Sequence, residues 1–90
     1  MSRISFHTTY QDQEVEVVGG WDNPLGTFFL DVIKDDDEDN LVYSSMNELD
    51  NPSIEELSQI LSNLNIFVPE NFWAMISKRQ GNVIKYLGSF

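Results

Sequence analysis

The residues best suited to chemistry in this chain are carboxylates. Asp35-Asp36-Asp37-Glu38-Asp39-Asn40 concentrates oxygen ligands in one short stretch, which is what a hard cation such as calcium requires. Its first half resembles the start of an EF-hand loop, with acids at relative positions one, three and five. The second half departs: position six is Asn40 where the sharp turn needs glycine, and position twelve is Met46 where a bidentate glutamate belongs. The run is therefore expected to be a solvated hairpin turn whose charge deters edge pairing, and no metal is expected.

General acid–base catalysis needs two carboxylates in unlike environments. Asp31, between Leu30 and Val32, and Asp22, inside Trp21-Asp22-Asn23-Pro24, are the two to inspect. Plainer roles exist for both: a solvent-facing strand position for Asp31, and for Asp22 a side chain bonding the backbone of its own turn. His7 is the sole histidine and cysteine is absent, so neither a catalytic triad nor the usual zinc ligand set can be assembled. His7 falls on the polar register of the first strand and reads as a surface residue. Gly19-Gly20 and Gly26 match no phosphate-cradling spacing, and no lysine follows them. No catalytic residue and no cofactor is expected.

Charge is the strongest compositional signal. Fifteen Asp and Glu against five Lys and Arg give a formal net of -10. All the acids lie in residues 1–70, where only Arg3 and Lys34 oppose them, for a net of -13; residues 71–90 carry Lys78, Arg79 and Lys85 and no acid, for a net of +3. Such a field repels phosphate backbones, which argues against direct nucleic-acid binding. A basic protein surface is the natural complement. Ninety residues with a 41% hydrophobic fraction, including six Phe, three Tyr and two Trp, suit one small domain spanning residues 1–90. The absence of cysteine, of an apolar leader in Met1–His7 and of any long apolar run leads to the expectation of a cytoplasmic protein with no membrane contact.

Alternation with period two marks strands. Arg3 to Tyr10 carries Ile4, Phe6 and Thr8 on one side, and Gln13 to Val18 sets Val15 and Val17 against Glu14 and Glu16, with Gln11-Asp12 as the hairpin loop. Gly19-Gly20 is expected to end the second strand, and Asn23-Pro24 with Gly26 to form a loop. Thr27 to Lys34 is apolar on both sides, which suits an interior strand. Leu41 to Met46 resumes strand character after the acidic turn.

The period then changes. Ile54, Leu57, Ile60, Leu61 and Leu64 recur at helical spacing. Either Ser53 caps this helix in a capping box with Glu56, or Asn51 caps it with Pro52 at the first helical position; Asn63 or Asn65 can end it in the left-handed conformation. A second helix is expected from Pro69, capped by Val68, with Phe67 stapled to Phe72, Ile76 one turn beyond Phe72, Lys78 and Arg79 in the last turn and Gly81 as terminator. Asn82 to Leu87 suits either a fifth strand or a docked C-terminal turn. The expected fold class is α+β: an antiparallel four-stranded sheet, with or without that short fifth strand, and two helices packed on one face.

Gly20-Trp21-Asp22-Asn23-Pro24-Leu25-Gly26-Thr27-Phe28-Phe29-Leu30 is the most distinctive segment. It resembles a motif of small uncharacterised bacterial proteins in which a Gly-aromatic-Asp-x-Pro-Leu loop enters an aromatic-rich strand, and Asn65-Ile66-Phe67-Val68-Pro69 is similar in character. The resemblance covers half the chain and implies a β-loop-β arrangement but no function. Trp21 there serves either as a plug at the end of the core or as a partner-facing anchor.

These features lead to the expectation of a non-enzymatic, acidic protein-binding module, an adaptor, immunity-like protein or stoichiometric inhibitor. Its contact residues are expected among Asp35, Asp36, Asp37, Glu38, Asp39, Trp21 and Asp22. In a sharper version the acidic face imitates nucleic-acid phosphate and the partner is a nucleic-acid-binding protein. A small carboxylate-dependent hydrolase or metal-dependent enzyme, and a homodimeric scaffold joined through strand edges or the helical face, are the alternatives.

Overall fold

The computed structural model describes residues 2–34, 37–45, 51–79 and 83–90, with the backbone alone for 37–40. Met46, Gly81 and Asn82, named above at the ends of elements, lie outside the described residues, as do Asp35 and Asp36. Among the described residues five strands and two helices follow in the order β1 (Arg3–Tyr10), β2 (Gln13–Asp22), β3 (Thr27–Lys34), β4 (Asp37–Ser44), α1 (Ile54–Asn63), α2 (Phe72–Ser77) and β5 (Ile84–Ser89). The sheet order is β4-β3-β2-β1-β5. The first four strands form an antiparallel meander, and the fold is α+β with the two described helices between β4 and β5. No helix among the described residues is long and apolar enough to cross a membrane.

Strand alternation builds the core. Ile4 and Phe6 of β1, Val15 and Val17 of β2, and Phe28, Leu30 and Val32 of β3 are buried together beneath Leu57 and Leu61 of α1 and Phe72 and Ile76 of α2. Phe6 meets Phe72 edge to face at 5.0 Å between ring centroids, an arrangement that the ring quadrupoles favour. The β1–β2 loop is Gln11-Asp12, with φ of +50° and +65°. Both central residues thus occupy the left-handed region that a tight primed hairpin turn demands, without the glycine that usually supplies it.

Helix α1 begins by the first of the two expected caps. Ser53 Oγ accepts from the Glu56 backbone N–H at 3.2 Å, and the Glu56 carboxylate accepts from the Ser53 N–H at 3.5 Å. It ends at Asn65, with φ of +57°. There the Ile66 N–H donates to the Leu61 carbonyl and the Asn65 N–H to that of Ser62, both at 3.0 Å, the paired bonds of a Schellman stop. Ile66 follows the stop into the core beside Leu61.

Several expectations are corrected. Gly19-Gly20 does not end β2, which runs through both glycines to Asp22; they are there because neighbours come too close for a side chain. A Cβ on Gly19 would lie 2.9 Å from both Phe72 Cζ and Ile76 Cδ1, and one on Gly20 would collide with the Ser2 carbonyl. The acidic run is not wholly a turn, because β4 starts at Asp37, which pairs with Lys34. β4 then accommodates the surplus residues as irregularities on either side of Ile33, as edge strands often do. The fifth strand is present as Ile84–Ser89, but it pairs with β1 in parallel, so the complete sheet is mixed.

The second helix is shorter than expected. It starts at Phe72 rather than Pro69, and Asn71 occupies the cap position without a side-chain bond. The staple does not form: Phe67 is 62% exposed and lies 6.0 Å from Phe90, while Phe72 is buried against Phe6 and Trp73. Lys78 is the C-terminal cap residue, and Arg79 lies beyond the helix with φ of +53°.

Gly19→Ala is expected to cost about 1–3 kcal/mol, since the atoms it meets include side-chain ends that can shift. Gly20→Ala is expected to cost more, because it meets backbone. Urea midpoints of the two variants against the parent test the order. Asp12→Gly, which relieves a left-handed non-glycine residue, is expected to stabilise by about 1 kcal/mol, seen as a raised urea midpoint with an unchanged slope.

Candidate functional site

The expected contact residues fall at two opposite ends of the sheet. Val15 pairs with Lys34 and Lys34 with Asp37, so the β1–β2 turn and the start of β4 share one end. Asp12, Glu14 and the backbone of Asp37, Glu38 and Asp39 are gathered there. Trp21 pairs with Phe28 and Asp22 with Thr27 at the other end of β3, roughly 25 Å away at the usual strand rise. The register thus does not bring Trp21 and Asp22 to the acidic run, and strand alternation sends Trp21 and Asp22 to opposite faces.

The end opposite Asp12, Glu14 and the start of β4 holds most of the cations, together with Asp22 and Glu55. Arg3 pairs with Ile84 and Lys85 with Ile4 at the start of β1, and the Arg79 guanidinium lies over Trp21, 4.9 Å from its ring centroid. Lys78 adjoins Arg79. Four of the five Lys and Arg residues therefore lie at this end, and Lys34 alone is at the acidic one. Roughly 25 Å of strand separates the ends, against a Debye length of about 8 Å in physiological salt, so a docking partner feels one end without the other.

Trp21 is half-buried and packs edge-on against Phe28 at 4.9 Å, and Arg79 covers both rings, 5.3 Å from the Phe28 centroid. The indole N–H donates to the Asn23 side-chain carbonyl. Trp21 packs against the core and also lines an open groove of about 600 Å³. Phe28, Pro52, Ile54, Glu55 and Arg79 share that groove. Glu55 is the one carboxylate among the residues that line it, so no acid–base pair converges there. Asp22 is buried and serves its own loop: its Oδ1 accepts from the Leu25 N–H at 3.4 Å and its carbonyl from the Gly26 N–H at 2.7 Å.

Asp31 is not the solvent-facing residue expected. It is half-buried between Val18 and Ser44, and its buried Oδ1 has no hydrogen-bond partner among the described residues. Nor is His7 a plain surface residue: it is half-buried, with Nδ1 2.7 Å from the Tyr86 hydroxyl and the rings 5.3 Å apart. Among the described residues no group of three or more His, Asp or Glu side chains could hold a metal ion.

The sequence reading missed the C-terminal strand as a surface. β5 is an edge strand that shows Ile84 at 83% exposure and Tyr86 at 54%, with Phe90 and Phe67 exposed beside it. The available signal was the β-branched and aromatic content of Val83-Ile84-Lys85-Tyr86-Leu87, but nothing in it says which strand it would join. The chain matches no protein-family model, no curated protein and no solved structure.

Arg79 carries opposing terms: its stacking contributes about 0.5–1 kcal/mol at an exposed site, and its left-handed backbone costs about 1 kcal/mol or more. Arg79→Gly and Arg79→Ala both lose the stacking, but the glycine also relieves the backbone. The glycine variant is expected to be the more stable by about 1 kcal/mol in urea titrations.

Proposed function

We propose that this protein is a non-enzymatic binding module whose acidic end docks on a basic protein surface. The observation that carries the proposal is the uneven placement of charge: Asp12, Glu14 and the Asp37–Asp39 backbone at one end of the sheet with Lys34 alone opposing them, and Arg3, Lys78, Arg79 and Lys85 at the other, where Asp22 and Glu55 also lie. A net of -10 distributed in this way is a directional field. It orients an approaching cationic partner before contact and accelerates productive encounter. A partner that normally binds nucleic acid offers the most extensive surface of matching sign, and an acidic tip competes there for phosphate-binding positions.

Physical chemistry supplies the test. Proteins captured at low salt and released stepwise by salt give the candidate partner, and the purified pair is then titrated. Affinity is expected to fall steadily as ionic strength rises, mainly through a slower association rate. Replacing Asp35, Asp36, Asp37 and Asp39 together with Asn is expected to weaken binding about tenfold or more at low salt. An affinity indifferent to both salt and the fourfold substitution would remove the proposal.

A further inference from the structure

The two edges of the sheet are unlike. The β4 edge opens with Asp37-Glu38-Asp39, and like charges of that density discourage another strand from pairing there. The β5 edge carries no acid. Its residues Ile84 to Ser89 contain one charge, Lys85, and Ile84 and Tyr86 stand exposed on it. An exposed apolar edge strand is a template for another strand. The neighbouring chemistry indicates which strand that is.

We propose that β5 pairs antiparallel with β5 of a second copy, making one continuous ten-stranded sheet about a two-fold axis. Charge complementarity selects the second copy. β5 runs parallel to β1, from the cationic end toward the acidic end, so an antiparallel copy turns Arg3 of each chain toward the acidic end of its partner, on the sheet face that also carries Glu14; Lys85 lies on the other face, opposite Ile4. On that acidic side Glu14 shares a groove of about 340 Å³ with His7, Tyr86, Ser89 and Phe90. The rest of a chain with net charge -10 repels its own copy, and the acid-free C-terminal segment is where two copies can approach.

The register follows from alternation. Residues opposite one another in a continuous sheet share a face, and β5 keeps a regular register with β1 only from Ile84 to Tyr86, so the two-fold is placed on the inner residues of that stretch, Lys85 or Tyr86. The first option sets like charges directly opposite, which is destabilising; the second sets Tyr86 against Tyr86, a favourable aromatic pair. β5 loses its regular alternation beyond Tyr86, because its register against β1 shifts between Tyr86 and Ser89 and Gly88 has φ of +106°, so the pairing is centred on the stretch from Lys85 to Leu87. The pairing is of the self-complementary kind that closes at two copies.

The chain has no cysteine, so a single introduced thiol reports the register. Sedimentation equilibrium of the parent protein is expected to give twice 10.4 kDa at submillimolar concentration. Tyr86→Cys is expected to form a covalent dimer under mild oxidation or with a short thiol cross-linker, whereas Ser62→Cys, exposed on α1, is not. Ile84→Lys, alone and combined with Tyr86→Lys, is expected to raise the dimer dissociation constant at least tenfold while far-ultraviolet circular dichroism is unchanged. A mass of one chain, an open assembly larger than two, or equal cross-linking through Ser62→Cys would overturn the proposal. A protein that is monomeric yet binds a basic partner in a salt-dependent manner loses this dimer and keeps its acidic docking end.

Discussion

The arrangement depends on how closely the backbone of β2 is approached at two successive residues. Strand alternation sends the substituents of Gly19 and Gly20 to opposite faces, and both faces are occupied. Phe72 and Ile76 of α2 press onto Gly19, while the Ser2 carbonyl fills the space beside Gly20. The Ser2 N–H donates to the Trp21 carbonyl and Ser2 Oγ accepts from the Trp21 N–H, both at 2.9 Å. This continues the β1–β2 register past the glycines and holds Trp21 in place. Seating α2 at this depth sets where the chain leaves the helix, and therefore where Arg79 meets the indole. Two absent methyl groups thus couple the core to the surface.

Charge segregation has a similarly local origin. A meander of strands of similar length returns the chain to the same end at every second turn, so Gln11-Asp12 and the β3–β4 connection share an end whatever their composition. Because β5 is parallel to β1 and enters the sheet at Arg3, the cationic C-terminal segment is delivered to the opposite end. An asymmetry along the sequence becomes an asymmetry in space through topology, with no ion pair needed to arrange it.

Much of the architecture was legible because the signals are local. Period-two alternation located β1 and most of β2 and separated the core-facing Ile4, Phe6, Val15 and Val17 from their neighbours, while β3 was legible as an apolar run on both faces, in keeping with the burial of Phe28, Phe29, Leu30 and Val32. The serine-glutamate spacing was one of two caps offered for the start of α1 and Asn65 one of two residues offered for its end, and in each pair the structure uses the one named here. What was not legible depended on distant partners. Glycine read as punctuation at Gly19-Gly20 because a sequence does not reveal what packs on a strand, and Phe67 was assigned to Phe72 although its ring lies near Phe90. Asp37 was read as turn because its charge suggested solvent, whereas pairing with Lys34 made it strand. Of the candidate site, the individual residues were legible but not their grouping, since which strand ends coincide is decided by register.

The parallel seam between β1 and β5 has a consequence for how the chain reaches its final form. Hairpins along the meander close short loops, whereas the seam joins Arg3 to Ile84 across nearly the whole sequence, and closure entropy delays such contacts relative to local ones. During that interval β1 is a bare border, and Phe6 lacks the ring of Phe90, which lies 6.0 Å from it in the finished fold. The species most exposed to mispairing is therefore an incomplete meander with its first strand unprotected, and the rate at which the last strand docks governs how long that hazard persists.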